Sequence, residues 1–325
     1  MFENKKILVI GGTGTIGQAL VNKLIANNPR VIRILSRDEY KQHQMQQQLE
    51  GLRNIRFLLG DIRDKERIYK AMNGIDIVFD LAALKHVPAC EYNPFEAVKT
   101  NVLGTQNVIE CAIENKVKKV IYASSDKAVS PTNTMGATKL LAERLIASAD
   151  YWKGGNTPIF AAVRFGNVIG SRGSVVPLWE EQILSRREIT VTDPNMTRFM
   201  ISIDSAVDLT LRACEIAKGG EIFVLKMPVV RLGDFAEAVI EKVCGKAGIP
   251  AGEVNIRIIG LRPGEKMYEE LMTKDESQYA VEYEDMYAIQ PIIGAMKVIN
   301  NSPGSYRSDN EEVLSIDNMG ELLPT

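Results

Sequence analysis

The chain has 325 residues, with 39 Lys and Arg against 41 Asp and Glu, and its net charge of −2 offers no broad basic field to nucleic acid or an anionic membrane surface. A hydrophobic share of 45% and a charged share of 25% describe a globular protein large enough for one main domain and a smaller one appended to it. No apolar run reaches the roughly 20 residues of a membrane span. The opening residues lead straight into a strand without the charged-then-apolar run of a signal peptide, so a soluble cytoplasmic protein is expected. Cys90, Cys111, Cys214 and Cys244 form no C-x-x-C pair, which fits structural thiols and no metal site.

From the start to about Val163, short Ile/Val/Leu/Phe runs alternate with longer amphipathic stretches. Strands are expected at Ile7–Ile10, Val31–Leu35, Ile55–Leu59, Ile77–Leu81, Val120–Ala123 and Ile159–Val163. Each is almost continuously apolar, which requires helices on both faces: an α/β, Rossmann-type, doubly wound parallel sheet. The first strand runs into Gly11-Gly12-Thr13-Gly14-Thr15-Ile16-Gly17 and then a helix carrying Leu20, Val21 and Leu24. Glycines there allow a tight turn and close approach of backbone to a pyrophosphate, which the helix N-terminus attracts. A dinucleotide cofactor is the expected ligand of this turn.

The second strand ends at Ser36-Arg37-Asp38, where the adenosine ribose should be read. The planar fork of Arg37 suits a 2′-phosphate, so NADP is preferred over NAD, although Asp38 beside it could serve NAD. Asp61, just past the third strand, is placed to accept from an adenine amine. Leu81-Ala82-Ala83 ends the fourth strand with side chains small enough for backbone to pass a cofactor. Ile62, Lys85, Asn101 and Lys139 complete the candidate cofactor contacts. The Leu, Ile and Val stripe of Thr100–Ile113 reads as a core or interface helix, and a homo-oligomer is expected.

After Arg164 the rhythm changes to loops rich in Gly and Pro. Residues 1–165, with a returning segment near 200–226, are expected to form the dinucleotide-binding domain, and 166–199 with 227–300 a smaller mixed α/β substrate-binding domain. Residues 301–325 are expected to be a strap or tail.

At the end of the fifth strand, Ser125-Asp126-Lys127-Ala128 and then Gly136-Ala137-Thr138-Lys139 complete a set that includes Ser36-Arg37-Asp38-Glu39, Ala83-Leu84-Lys85-His86-Val87-Pro88 and Leu261-Arg262-Pro263-Gly264-Glu265-Lys266. Together these span most of the chain, which resembles the UDP-N-acetylglucosamine 4,6-dehydratase branch of the extended short-chain dehydrogenase/reductases. In that superfamily a Tyr-x-x-x-Lys motif supplies a phenol that takes the alcohol proton, while the lysine holds the nicotinamide ribose. Here Lys139 is present, but Met135 stands at the phenol position and cannot carry a proton.

The resemblance implies oxidation at C4 of a UDP-sugar, elimination of water across C5 and C6, and return of the hydride to C6. Asp126 and Lys127 would be acid and base, provided that burial raises the aspartate's pKa and lowers the lysine's. Ser125 would orient the 4-hydroxyl, whose proton would pass to Asp126 or to a water joined to Lys139. The methionine variant implies retained configuration at C5, with inversion, another sugar epimerase or reductase, or a non-catalytic cofactor-binding regulator as alternatives. The resemblance further implies that Asn167 contacts the pyrophosphate or the sugar, and that Arg198 and Arg262 with Glu265 hold the diphosphate and ribose of UDP. Lys85 and His86 follow the fourth strand and could touch the sugar, with an orienting role favoured for His86. His43, in a glutamine-rich helical stretch, is expected at the surface.

Overall fold

The computed structural model describes residues 1–155, 157–261, 264–291 and 302–323. The first half alternates strictly: β1 (Lys6–Ile10), α1 (Thr15–Ile25), β2 (Val31–Ser36), α2 (Glu39–Gln48), β3 (Ile55–Leu59), α3 (Lys65–Met72) and β4 (Ile77–Asp80). Then follow α4 (Val87–Tyr92), α5 (Pro94–Ala97), a wide π turn over Val98–Leu103 and α6 (Gly104–Glu114). After them come β5 (Lys119–Ala123), a short 3-10 turn at Asp126–Ala128, α7 (Thr134–Trp152) and β6 (Ile159–Arg164). All six expected strands are present within a residue of their expected ends, and helices begin at side-chain caps such as Asp38, Asp64 and Asn133, each accepting a backbone N–H.

The rest of the chain comprises β7 (Asn167–Val168), α8 (Val175–Arg186), β8 (Glu188–Val191), β9 (Thr197–Ile201), α9 (Ile203–Ile216), β10 (Ile222–Leu225), β11 (Val229–Arg231), α10 (Leu232–Ala247) and β12 (Asn255–Ile258). It ends with β13 (Glu270–Met272), α11 (Lys274–Ser277), β14 (Ala280–Glu282), β15 (Met286–Ile289), β16 (Tyr306–Arg307) and α12 (Ile316–Leu322). The nine-stranded main sheet runs β3-β2-β1-β4-β5-β6-β10-β15-β14, parallel through β10 and antiparallel beyond it. The expected return near 200–226 thus corresponds to α9, packed on α1, and β10. Residues 280–289, expected in the smaller domain, instead extend the main sheet as β14 and β15.

A second core gathers Trp179, Ile183, Ile189, Phe235, Val239 and, from the end of the chain, Met319 and Leu323. The described part of the final segment thus packs into this core through Met319 and Leu323. Tyr306 helps to fix it, since its ring lies 4.6 Å from that of Phe199 and its hydroxyl accepts the Met227 N–H at 2.8 Å. His43 is exposed, the four cysteines are buried free thiols, and among the described residues no helix is long and apolar enough to cross a membrane.

Arg164, the last residue of β6, is fully buried. It donates to Glu143 of α7 at 2.6 and 3.0 Å, to Glu276 of α11 at 3.1 Å and to the Leu271 carbonyl at 2.8 Å. Burial alone would disfavour its charge, but the two carboxylates more than offset that and raise its pKa. Removing one member leaves charge uncompensated in a dry interior. Glu143→Ala is expected to lower stability by about 3–5 kcal/mol, read as a shift of the urea midpoint; a loss below about 1 kcal/mol would contradict the role given to this cluster.

Candidate active site

The strand order reverses between β1 and β4, and at that point the carboxyl ends of the strands open a cavity of about 290 Å³. Gly11, Thr13, Gly14, Ser36, Arg37, Asp61, Ile62, Leu81, Ala82 and Ala83 line it. Gly11 adopts φ +77, and a Cβ there would stand 3.0 Å from the backbone of Leu81 and Ala82; one on Gly17 would meet Gly12 Cα at 2.6 Å. A side chain at either place would close the cradle or push α1 off the turn, so the cleft fits a dinucleotide. Thr15 and Ile16 open α1 behind it. The Thr13 hydroxyl meets that of Ser36 at 2.7 Å, tying the turn to the end of β2.

Asp38 spends its carboxylate on the α2 N-terminus and on an ion pair with Lys41. Arg37 is mostly exposed and 3.8 Å from Asp61. Burial would raise the pKa of Asp61, but its hydrogen bonds from Arg63 hold it below the usual carboxylate range, so it remains an acceptor. Arg172 has no local sequence signature. It reaches from the loop before α8 to donate to the Thr13 carbonyl at 2.6 Å, while its own N–H meets Thr15 Oγ1 at 3.2 Å. Lys85 donates to the Arg172 carbonyl at 2.8 Å, and the His86 ring lies against Gly173, where a Cβ would come within 2.6 Å of it. Asn101 is consumed internally, bonded to both backbone groups of Leu84 and to Thr138.

Past β5, Ser125 caps the 3-10 turn and donates to Asp126 Oδ1 at 2.7 Å. Lys127 Nζ stands 2.9 and 3.1 Å from the two oxygens of Asp126. The turn is held from both sides: the Asp126 N–H donates to the Phe165 carbonyl at 3.1 Å, and Gly136, in the first turn of α7, packs on the Lys127 carbonyl. The expected lowering of the Lys127 pKa is not what the surroundings produce. Burial acts that way, but Asp126 and then Glu269, 3.8 Å away, outweigh it and raise the pKa, so Lys127 rests as an ammonium.

Met135 is buried with Cys90 and Ala97. Lys139, also on α7, donates to the Ala123 carbonyl at 2.5 Å and lies 4.1 Å over the Tyr122 ring; burial brings its pKa down to about 8. Below it Asp80 is fully buried, and desolvation pushes its pKa up to about 7.

Glu269, not among the residues expected from the sequence, stands between Lys127, Asn167, Arg198 and Phe199. It accepts from Asn167 Nδ2 at 2.8 and 2.9 Å and from the Phe199 N–H at 3.1 Å, with Arg198 Nε 3.5 Å away. No local sequence pattern marks Glu269. Arg198, expected to face a diphosphate, turns its guanidinium onto the carbonyls of Thr197, Lys266 and Met267. Glu265 is exposed in a turn whose Gly264 carbonyl accepts from Thr132, just ahead of α7. Arg262 lies outside the described residues.

A doubly wound sheet with a glycine turn at the switch point and a lysine-bearing α7 against β5 is the architecture of the extended short-chain dehydrogenase/reductases. Residues 7–291 match the family described as polysaccharide biosynthesis protein, and the chain belongs to that family. A crystal structure titled Pen from Bacillus thuringiensis is 52% identical, with a TM-score of 0.94 over 99% of this chain and 97% of that one. A Campylobacter jejuni protein named UDP-N-acetylglucosamine 4,6-dehydratase (inverting) is 41% identical over 99% of this chain and 90% of its own. A Rickettsia rickettsii protein named UDP-glucose 4-epimerase is 41% identical over all of this chain and 97% of its own. A protein of Methanocaldococcus jannaschii named only as an uncharacterized membrane protein is 50% identical over 97% of this chain and 96% of its own.

A Cβ added at Gly136 would fall 2.2 Å from the Lys127 carbonyl. Gly136→Ala is therefore expected to cost about 1–3 kcal/mol as overpacking and to displace the Asp126–Lys127 turn. Thermal unfolding and turnover should both drop; a variant unchanged in both would show that the turn is not held by this contact.

Proposed function

We propose that this chain is an NAD(P)-dependent UDP-N-acetylglucosamine 4,6-dehydratase that forms a UDP-4-keto-6-deoxy sugar. The observation that carries this reading is the Ser125–Asp126–Lys127 hydrogen-bonded set at the carboxyl end of β5, beside the dinucleotide cleft and next to a phenol position filled by Met135. Transient C4 oxidation, as in an epimerase, has no use for a paired acid and base; elimination needs both. The Campylobacter jejuni relative named as a dehydratase supports the same reading, while the Rickettsia rickettsii relative named as an epimerase supports the alternative of an epimerase.

A bound nicotinamide supplies a reversible hydride acceptor. Ser125 orients the C4 oxygen. A proton passes across 2.9 Å from Lys127 to Asp126, which then protonates the departing 6-hydroxyl while neutral Lys127 removes the acidified C5 proton. Lys127, whose ammonium protons exchange with solvent, returns a proton to the face from which it removed one, which gives retention at C5. Inversion, the outcome in the name of the Campylobacter jejuni relative, would require a second donor on the opposite face.

NADP is preferred because Arg37, Lys41 and Arg172 surround the ribose end of the cleft while Asp38 is neutralised by its cap and by Lys41. Lys85, His86, Asn167 and Glu265 are proposed to receive the UDP-sugar; Arg262, expected to join them, lies outside the described residues. The exposed Tyr92, Phe95, Leu103 and Leu141 support assembly as a homo-oligomer.

Incubation with UDP-N-acetylglucosamine in deuterated water is expected to give a product lighter by one water with deuterium at C5, and ring coupling constants by NMR report retention or inversion. Recovery of unchanged substrate from cofactor-loaded protein would sink the proposal. Lys127→Ala should abolish elimination. Arg37→Ala should weaken NADP binding about tenfold, or about 1.4 kcal/mol, with little effect on NAD, by calorimetry; equal losses would remove the preference.

A further inference from the structure

Dehydration poses a proton problem that Asp126 and Lys127 leave open. Oxidation at C4 frees the hydroxyl proton, and departure of water from C6 consumes one. Lys127 only borrows the C5 proton, and Met135 can carry none. Over one turnover, the proton lost at O4 must therefore reach O6, and it needs a place to wait between the two events.

A second carboxyl faces Lys127 across the site. Glu269 Oε1 lies 3.8 Å from Lys127 Nζ, whose other side is 2.9 Å from Asp126, so the ammonium stands between two carboxyls contributed by distant parts of the chain. The groups around Glu269 are Asn167 Nδ2, the Phe199 N–H, Arg198 Nε, Lys127 and the charge of Asp126. The side chain is only 11% exposed. Burial foremost, and then the charge of Asp126, push its pKa up to about 7 against the lowering by Lys127, Arg198 and Asn167. A carboxyl so placed can hold or release a proton near neutrality.

Resting on the dehydratase reading above, we infer that Glu269 is the proton store of this site, exchanging protons with the reacting sugar through Lys127. The O4–H bond breaks as the C4 hydrogen leaves as hydride to the nicotinamide, and Lys127 takes that proton while handing its own to Glu269. Lys127 next passes a proton to Asp126. Asp126 gives it to O6 as the C6–O bond breaks, while Lys127 takes the C5 proton. The hydride returns to C6, Lys127 gives a proton, exchanged with solvent, to C5, and Glu269 reprotonates Lys127. Every group ends as it began, and one water has left with the proton that started on O4.

Glu269→Gln keeps an acceptor for Asn167 and the Phe199 N–H but cannot store a proton. In the wild type, kcat is expected to rise with pH through about 7, because the store must be a carboxylate to accept. In Glu269→Gln that rise should disappear and kcat should fall by about tenfold or more, with KM for the UDP-sugar within about twofold. A role confined to structure would not remove the limb, so an unchanged pH profile in Glu269→Gln overturns the inference while leaving the dehydratase reading intact. If wild type makes no keto product in the deuterium experiment, both fall together. Should Glu269→Gln not fold, Glu269→Asp decides: with the carboxyl withdrawn by one methylene from Lys127, the limb should persist at reduced kcat, and a wild-type rate overturns the inference.

Discussion

The buried guanidinium of Arg164 fixes the geometry on which the site depends. It closes β6, and through Glu143 and Glu276 it binds the sheet to α7 and to the segment carrying β13 and α11. One residue later, the Phe165 carbonyl holds the Asp126 N–H. Displacing the cluster would move Lys139 on α7, Glu269 just before β13, and the turn bearing Asp126 and Lys127 relative to one another. An ion cluster of this kind adds little net stability over a well-packed apolar one, since desolvation offsets most of the attraction. What it supplies is a unique arrangement of three segments far apart in sequence, because only one geometry satisfies two carboxylates and a carbonyl with one planar fork.

The methionine takes its meaning from this frame. Met135 sits among Cys90, Ala97, Leu84 and Val87, where a thioether packs well and a phenol would need a partner for its hydroxyl. Proton-carrying chemistry is concentrated instead past β5, in Asp126, Lys127 and Glu269, around a turn that a glycine alone can approach. The loss of one titratable group at α7 is thus accompanied by a dense group of them one loop away.

Much of this was legible from sequence. Continuous apolar strands, a glycine turn between β1 and α1, and the Ser125-Asp126-Lys127 run each have a local pattern; the fold followed from the first two, and the third marked the hydrogen-bonded turn past β5. What was missed lacks a local pattern. Glu269 and Arg172 gain their roles by approaching residues 142 and 159 positions away, respectively Lys127 and Thr13, and nothing in their immediate neighbours marks them. β14 and β15 read as part of the smaller domain because they follow its elements in the chain, yet the open edge of β10 was the surface that needed covering. Arg198 was assigned by motif as a ligand, but its donors are taken by carbonyls of its own fold.

The two lysines on either side of the β5 terminus show how one loop can set opposite chemistry. Burial acts on both in the same direction. Lys139 spends its contact on the Ala123 carbonyl and the Tyr122 ring, and the charges of Asp80 and Glu143 fall short of offsetting desolvation, so its pKa drops to about 8. Lys127 touches Asp126 directly and has Glu269 behind it, and its pKa rises. The sign of each shift is decided by whether a carboxylate stands in contact, not by depth. A lysine held as an ammonium between two carboxyls can act as a base only by first giving up a proton to one of them. In the proposed reaction the acid and the base are therefore one coupled system, in which a proton leaving Lys127 arrives on Asp126 or Glu269.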